Sequence, residues 1–264
     1  MARSLNIAAT GMAAQQTNIE VIANNIANLN TSGFKRNRAD FQDLLYQARG
    51  LDVGSRTSES GSVMPTGTQV GAGVKAGGIY RIHGQGALIG TENPLDLAIS
   101  GRGYFVVNLP NGVTGYTRAG SLQLSQTGEI VSTDGHTIRP GLTVPSNAKQ
   151  IIVTEQGLVQ ARIDGQIALV DVGRFEIVTF PNDAGLQSIG GNFYLATPAS
   201  GNPTTGGAGD IGFGTLRQGF IEASNVDMVA EITALISAQR AYEMNSKVIQ
   251  ATDEMLRTTT QAMR

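Results

Sequence analysis

Large apolar residues return at every seventh position near the end of this chain: Met228, Leu235, Tyr242, Ile249, Leu256 and Met263, within Ser224 to Arg264. A seven-residue repeat keeps one stripe on one side of an α-helix and asks a second helix to cover it. Neither Gly nor Pro interrupts the run. At ~1.5 Å per residue it would be a helix on the order of 60 Å long, too long to be wholly a core helix. The N-terminus carries the same spacing in Leu5, Met12, Ile19 and Ile26, with Ala8, Ile22 and Leu29 beside them. The pattern therefore predicts two long terminal helices paired as a coiled coil.

The first of these helices should run from residue 2 to about 30, with Ser4 at its N-cap. It should end in Asn28-Leu29-Asn30-Thr31-Ser32-Gly33-Phe34, where Gly33 can terminate a helix in the left-handed region. Arg38 to Gln47 reads as a shorter amphipathic piece with Phe41, Leu44 and Leu45 on one face, and residues 48 to 78 as an extended or hairpin-like connector. From about 79 to 215 the period changes to short strand-like runs. These are Ile79–Ile82, Leu97–Ile99, Tyr104–Val107, Gln150–Val153, Ile167–Val170 and Arg174–Val178. Turn signals separate them: Asn111-Gly112, Thr127-Gly128, Asp134-Gly135 and Asp164-Gly165. Pro198 to Gly214 reads as a Gly-rich return loop. The expected fold class is α+β. Residues 1–35 with 224–264 form a helical domain, 36–78 a connector, and 79–223 an inserted, mainly β domain.

Charge sharpens the reading of the helices. Between residues 2 and 30 only Arg3 and Glu20 are charged. A helix standing alone in water normally carries many charged pairs. The other faces of this one should be covered in the working state, and each terminal helix alone should be marginal. The expectation is that both ends are poorly ordered in a dilute monomer and fold as subunits pack side by side into a tube or rod.

Candidate chemistry changes little. With no Cys and only His83 and His136, thiolate metal sites and Cys nucleophiles are excluded, and a zinc site would need several carboxylates. No Gly-x-Ser-x-Gly elbow frames a serine. Gly71-Ala72-Gly73-Val74-Lys75-Ala76-Gly77 lacks the Gly-Lys-Ser/Thr of a phosphate loop. No catalytic, cofactor-binding or metal-binding residue is expected. A net charge of −2 over 264 residues gives no reason to expect nucleic acid as a partner. No run is long and apolar enough for a membrane span, and the N-terminus lacks the apolar core of a signal peptide.

Two blocks carry a family resemblance. Asn25-Ile26-Ala27-Asn28-Leu29-Asn30-Thr31-Ser32-Gly33-Phe34-Lys35 is similar to the N-terminal signature of bacterial flagellar rod and hook proteins. The segment from Ser224-Asn225-Val226-Asp227 through Gln239-Arg240-Ala241-Tyr242-Glu243 to Lys247-Val248-Ile249 resembles the C-terminal block of the same family. Arg38 to Gln47 and Pro94 to Gly103 are most similar to its distal-rod members. The resemblance implies a structural subunit of the basal body, not an enzyme. Its terminal helices would line a hollow helical tube and its β domain would face outward. Its partners would be copies of itself, the proximal rod proteins, the hook protein, and the ring proteins of the peptidoglycan layer and outer membrane. It would cross the periplasm after export through the flagellar type III apparatus, without a cleaved signal peptide, and the connector would stiffen the shaft.

On this reading the helix seam comprises Leu5, Met12, Ile19, Ile26 and Leu29 against Leu235, Tyr242, Ile249 and Leu256. Asn24, Asn25 and Asn28 are candidates for polar contacts that fix register, and Gly33 with Phe34 for the turn. The alternatives are a proximal rod subunit of the same family, or a surface adhesin presenting a β head on an intramolecular helical stalk.

Overall fold

The structure is a computed structural model and describes residues 2–48, 69–164 and 168–262. Met263 of the apolar repeat, residues 49–68 of the expected connector and the Asp164-Gly165-to-Ile167 part of one turn-and-strand expectation fall at least partly outside the described residues.

Two long helices frame a β middle. The first, α1, spans Ala2–Ala27 and the last, α2, spans Met228–Ala262. Ser4 lies inside α1 instead of capping it. The backbone is in turns from 28 onward, so α1 ends sooner than the apolar spacing suggested. Between the helices come β1 (Asn37–Asp43), β2 (Tyr46–Ala48), β3 (Gln69–Gly71), β4 (Val74–Arg81), β5 (Leu88–Gly90) and β6 (Leu97–Ser100). Next are β7 (Tyr104–Asn108), β8 (Thr114–Thr117), β9 (Leu122–Leu124), β10 (Ile130–Ser132), β11 (Ala148–Val153), β12 (Leu158–Ile163) and β13 (Val170–Arg174). The last six are β14 (Glu176–Thr179), β15 (Gln187–Gly190), β16 (Phe193–Leu195), β17 (Thr204–Gly207), β18 (Thr215–Gln218) and β19 (Phe220–Glu222).

The chain packs as two units. One comprises the described parts of Met1–Ile26, Asn37–Tyr80 and Met228–Arg264; the other comprises Ala27–Arg36 and Arg81–Asp227. In the first unit, β1 pairs with β4 and β2 with β3. The expected amphipathic piece at Arg38 to Gln47 is thus mostly strand. Asn37, Ala39 and Phe41 are half-buried while Arg38, Asp40 and Gln42 are exposed, the two-residue alternation of a strand covered on one side. Leu45 is exposed. The spacing of Phe41, Leu44 and Leu45 suited a helix, but pairing with β4 satisfies the backbone instead.

The second unit is built on a six-stranded antiparallel sheet in the order β15-β16-β8-β7-β14-β17. Successive residues of β7 and β14 enter opposite cores. Phe105, Val107 and Ile177 join Leu97, Ile99, Leu122, Ile130, Val159 and Leu216 on one side. Tyr104, Val106 and Val178 join Tyr116, Phe180, Leu186 and Tyr194 on the other. Burial on both faces explains why these strands read as continuous apolar runs. Two short antiparallel pairs, β6 with β18 and β5 with β19, tie the chain's exit to its entry. The expected return loop at Pro198 to Gly214 contains β17, an edge strand of the main sheet. Its Thr-Thr-Gly-Gly sequence carries no apolar alternation, so pairing with β14 and not its own pattern makes it a strand.

Candidate functional site

Residues 28–35 form a corner whose geometry depends on one glycine. Asn28 Oδ1 accepts a hydrogen bond from the Thr31 hydroxyl at 3.2 Å, and the Phe34 amide donates to Thr31 O at 3.2 Å. Gly33 has φ +71°. Its amide donates to the Glu222 carbonyl at 2.8 Å, and a Cβ added there would lie 2.7 Å from Ala119 N and 3.0 Å from Arg118 C. Only glycine meets both demands, a left-handed backbone and a neighbouring chain with no room for a side chain. The Asn192 side chain donates to Ser32 O at 3.0 Å, and Phe34 is buried.

The next residue was not singled out by the sequence reading. Lys35 is fully buried, and its ammonium pairs with the equally buried Glu222 carboxylate and donates to Gly84 O at 2.8 Å. Glu222 also accepts from Arg118 Nε at 2.7 Å and from the Gly86 amide at 2.9 Å. The Arg118 guanidinium donates further to the carbonyls of Gly103 (3.0 Å), Ile99 (3.2 Å) and Gly101 (2.9 Å). Every side-chain nitrogen of this cluster thus meets an acceptor, the condition under which buried ions are tolerated. Burial by itself would raise the Glu222 pKa, but Arg118, Lys35 and the Gly86 amide outweigh it and hold the carboxyl below the usual range. Burial lowers the pKa of Lys35, against the pull of Glu222.

His83 sits beside the cluster, with its Nδ1 2.8 Å from the Tyr104 hydroxyl and its ring edge-on to Tyr104 and Tyr194. Burial, with Lys35, Arg81 and Arg118 nearby, pushes the imidazole down to about 4. The unfolded chain, with histidine near 6.5, then binds the extra proton first as pH falls. Stability from this group is full above 6.5 and is lost progressively as pH drops toward 4. Urea unfolding at pH 5 should show a loss of about 2 kcal/mol relative to pH 7.5. In a His83→Phe variant that slope between pH 7.5 and 5 should largely vanish; an unchanged slope would assign it to other groups.

In the helical unit the structure places the nominated residues as follows. Leu5, Met12, Ile19, Ile26, Leu235 and Ile249 are half-buried, while Tyr242 and Leu256 are 40 % and 37 % exposed. Leu29, in the corner segment, is half-buried. The fully buried positions of α1 are Ala8, Ala14, Val21, Ile22 and Asn25, and those of α2 are Glu231, Ala238 and Thr252. Among the described residues, α1 meets α2 at Asn25 and at Gly11. Asn25 Nδ2 donates to Glu231 Oε2 at 3.2 Å, and a Cβ on Gly11 would lie 2.9 Å from Asn245 Nδ2. Asn24 accepts from the Asn37 side chain at 3.2 Å on the exposed surface. On α2, Met228, Val229, Ile236, Met244, Val248 and Met255 remain 46–74 % exposed.

A cavity of about 190 Å³ near His83, Arg102, Tyr104 and Asp183 is smaller than the ~300 Å³ at which ligand sites usually begin. Among the described residues no cluster of three His, Asp or Glu could hold a metal, and no helix is long and apolar enough to cross a membrane.

Three family models match the chain. "Flagella basal body rod protein" covers residues 5–35, "Flagellar hook protein FlgE/F/G D1 domain" covers 98–161, and "Flagellar basal body rod FlgEFG protein C-terminal" covers 217–262. Among relatives, the flagellar basal-body rod protein FlgG of Caulobacter vibrioides is 55% identical, covering 98% of each chain. FlgG of Agrobacterium fabrum is 48% identical over 96% of each, and FlgG of Borreliella burgdorferi 42% over 97%. A solved structure, the hook protein FlgE2 of Helicobacter pylori, matches 60% of this chain and 47% of its own at 15% identity and a TM-score of 0.25, too slight a likeness to support an argument.

Proposed function

This chain belongs to the FlgG family of flagellar basal-body rod proteins, structural components and not enzymes, and from that premise we propose that it is the self-assembling subunit of the distal rod. As a rod protein it takes its place in the basal body with other flagellar components. The finer reading is ours. The terminal helices, 1–35 and 224–264, pair as a coiled coil and line a hollow helical tube, and the β body within 79–223 faces outward. The connector, 36–78, braces the shaft. Leu5, Met12, Ile19, Ile26, Leu29, Leu235, Tyr242, Ile249 and Leu256 pack between subunits as well as within them. Proximal rod proteins, the hook protein and the ring proteins of the peptidoglycan layer and outer membrane are its neighbours. It crosses the periplasm after type III export, and the shaft carries torque from motor to hook.

The observation that carries this reading is the surface of α2. Burying a large apolar side chain contributes about 1.5–3 kcal/mol, yet Met228, Val229, Ile236, Met244, Val248 and Met255 are left to water along one helix of a single chain. A helix exposing that much apolar surface has partners in its working state. Amide hydrogen exchange tests it. In dilute monomer α1 and α2 should exchange fast while 97–222 is protected, and in assembled filaments both helices should become protected. Helices already protected in a demonstrated monomer would favour a self-contained stalk.

A further inference from the structure

Asn25 differs in kind from the rest of the buried stripe of α1. Ala8, Ala14, Val21 and Ile22 are apolar, whereas Asn25 is polar and 1 % exposed. Its amide nitrogen donates to Asn37 O at 2.9 Å and to Glu231 Oε2 at 3.2 Å, and its oxygen accepts from Asn37 N at 2.8 Å. One side chain therefore joins α1, the first residue of β1, and the fully buried carboxylate of α2. A further contact between the helices, Gly11 with Asn245, is consistent with it: 11 to 25 on α1 and 231 to 245 on α2 are both intervals of fourteen. The two contacts thus define one antiparallel register, two heptads apart.

The spacing of the buried positions does not by itself choose that register. The buried line of α2 runs Glu231, Ala238, half-buried Asn245 and Thr252, again at intervals of seven. A slide of one heptad, about 10 Å, would preserve the seven-residue interval of that line. It would also take Glu231 from Asn25 to half-buried Asn18 in one direction, or beyond the end of α1 in the other, and either way remove it from the buried Asn25 amide; a misplaced buried polar group is the usual means by which helix pairs reject wrong alignments. We propose that Asn25 and Glu231 form a register key: the pair selects one axial alignment of α1 against α2 and, through Asn37, fixes where β1 departs from the helix pair. The proposal rests on the reading that the two helices pair within a chain, and it assigns that alignment to two named residues.

The chain has no cysteine, so spin labels can be placed cleanly. Labels on Glu20→Cys and Gln250→Cys, both exposed, should lie about 21 Å apart along the helix axis in the register described. The labelled full chain is diluted into unlabelled chain, so that only distances within one chain are read, in concentrated solution and in assembled filaments. The parent should give one narrow distance. The double variant Asn25→Leu/Glu231→Leu should keep its helix content but split into populations displaced by about 10 Å of axial slip. A single unchanged distance in that variant overturns the proposal. Should it not fold, Asn25→Ala carries the same test, and an unchanged single distance there overturns it equally. Filaments that form without a defined distance in the parent overturn the key while leaving the rod reading intact. A defined distance in a chain that never assembles supports the key and removes the rod reading.

Discussion

Replacing Glu222 with Ala should cost the β body about 3–5 kcal/mol, more than any other single change in the Lys35 cluster. The reason lies in what is left behind. Lys35 is fully buried and Arg118 is 5 % exposed, and both direct a donor at the carboxylate. Without it, two cations share a dry pocket with only the weaker influence of Asp183 as counter-charge, and the Gly86 amide loses its acceptor. Lys35→Met should be milder, about 1–3 kcal/mol. It leaves Glu222 paired with Arg118 and Gly86 and removes the excess positive charge, and the Gly84 carbonyl, which loses Lys35, still accepts from Asn225 Nδ2 at 3.1 Å. Removing all three ions is not a route to neutrality here. Arg118 also serves the carbonyls of Gly101 and Gly103, which would lose that donor to an apolar side chain, and that of Ile99, which would keep Gln85 Nε2 at 3.3 Å. Urea unfolding of the full chain at pH 7.5 gives the order. A Glu222→Ala loss within the ~0.5 kcal/mol of an ordinary surface change would mean that water reaches the cluster and screens it.

The cluster also shows where sequence reading stops. Lys35 follows a turn and looks like a solvated charge. Its partner Glu222 and the Arg118 that shares this carboxylate are 187 and 83 residues further on, and nothing local marks either as buried. By contrast the β runs were legible, because Tyr104–Val107 and Arg174–Val178 are apolar on both strand faces and are bounded by turn residues. The two terminal helices were legible from period alone. Their contact phase was not. A seven-residue repeat has seven possible phases, and hydrophobicity selects the one with the largest side chains, Leu235 and Tyr242. The line that α2 turns inward within one chain, Glu231, Ala238 and Thr252, keeps the same period with small or polar residues. The larger side chains lie beside it or on the surface, which is where contacts to neighbouring subunits would need them. Strand β1 escaped for a related reason. Phe41, Leu44 and Leu45 fit a helical spacing, while the deciding interaction, pairing with β4, comes from residues 74–81 further along the chain.

Gly33→Val should lower the stability of the β body by at least ~3 kcal/mol, and Gly33→Asn should cost nearly as much. The two substitutions separate two reasons for a glycine. At φ +71° a β-branched residue is strongly disfavoured, whereas Asn is the side chain that tolerates this region best. If backbone freedom were the whole requirement, Asn would be nearly neutral. The second requirement is space. Any Cβ at this position lies 2.7 Å from Ala119 N and 3.0 Å from Arg118 C, and these are backbone atoms of the segment that holds the Arg118 guanidinium in the ionic cluster. Relief by movement therefore means withdrawing the corner. That gives up the Gly33 amide bond to Glu222 O, the burial of Phe34, worth about 1.5–3 kcal/mol, and the pairing of Lys35. Both routes are costly, so the chain takes the cheaper and still loses several kcal/mol. In a body of this size the melting temperature should fall by roughly 10 °C, with the strand signal intact at low temperature and filament assembly lost. A Gly33→Asn variant as stable as the parent would show that the Ala119 backbone gives way and that the sign of φ alone demands glycine.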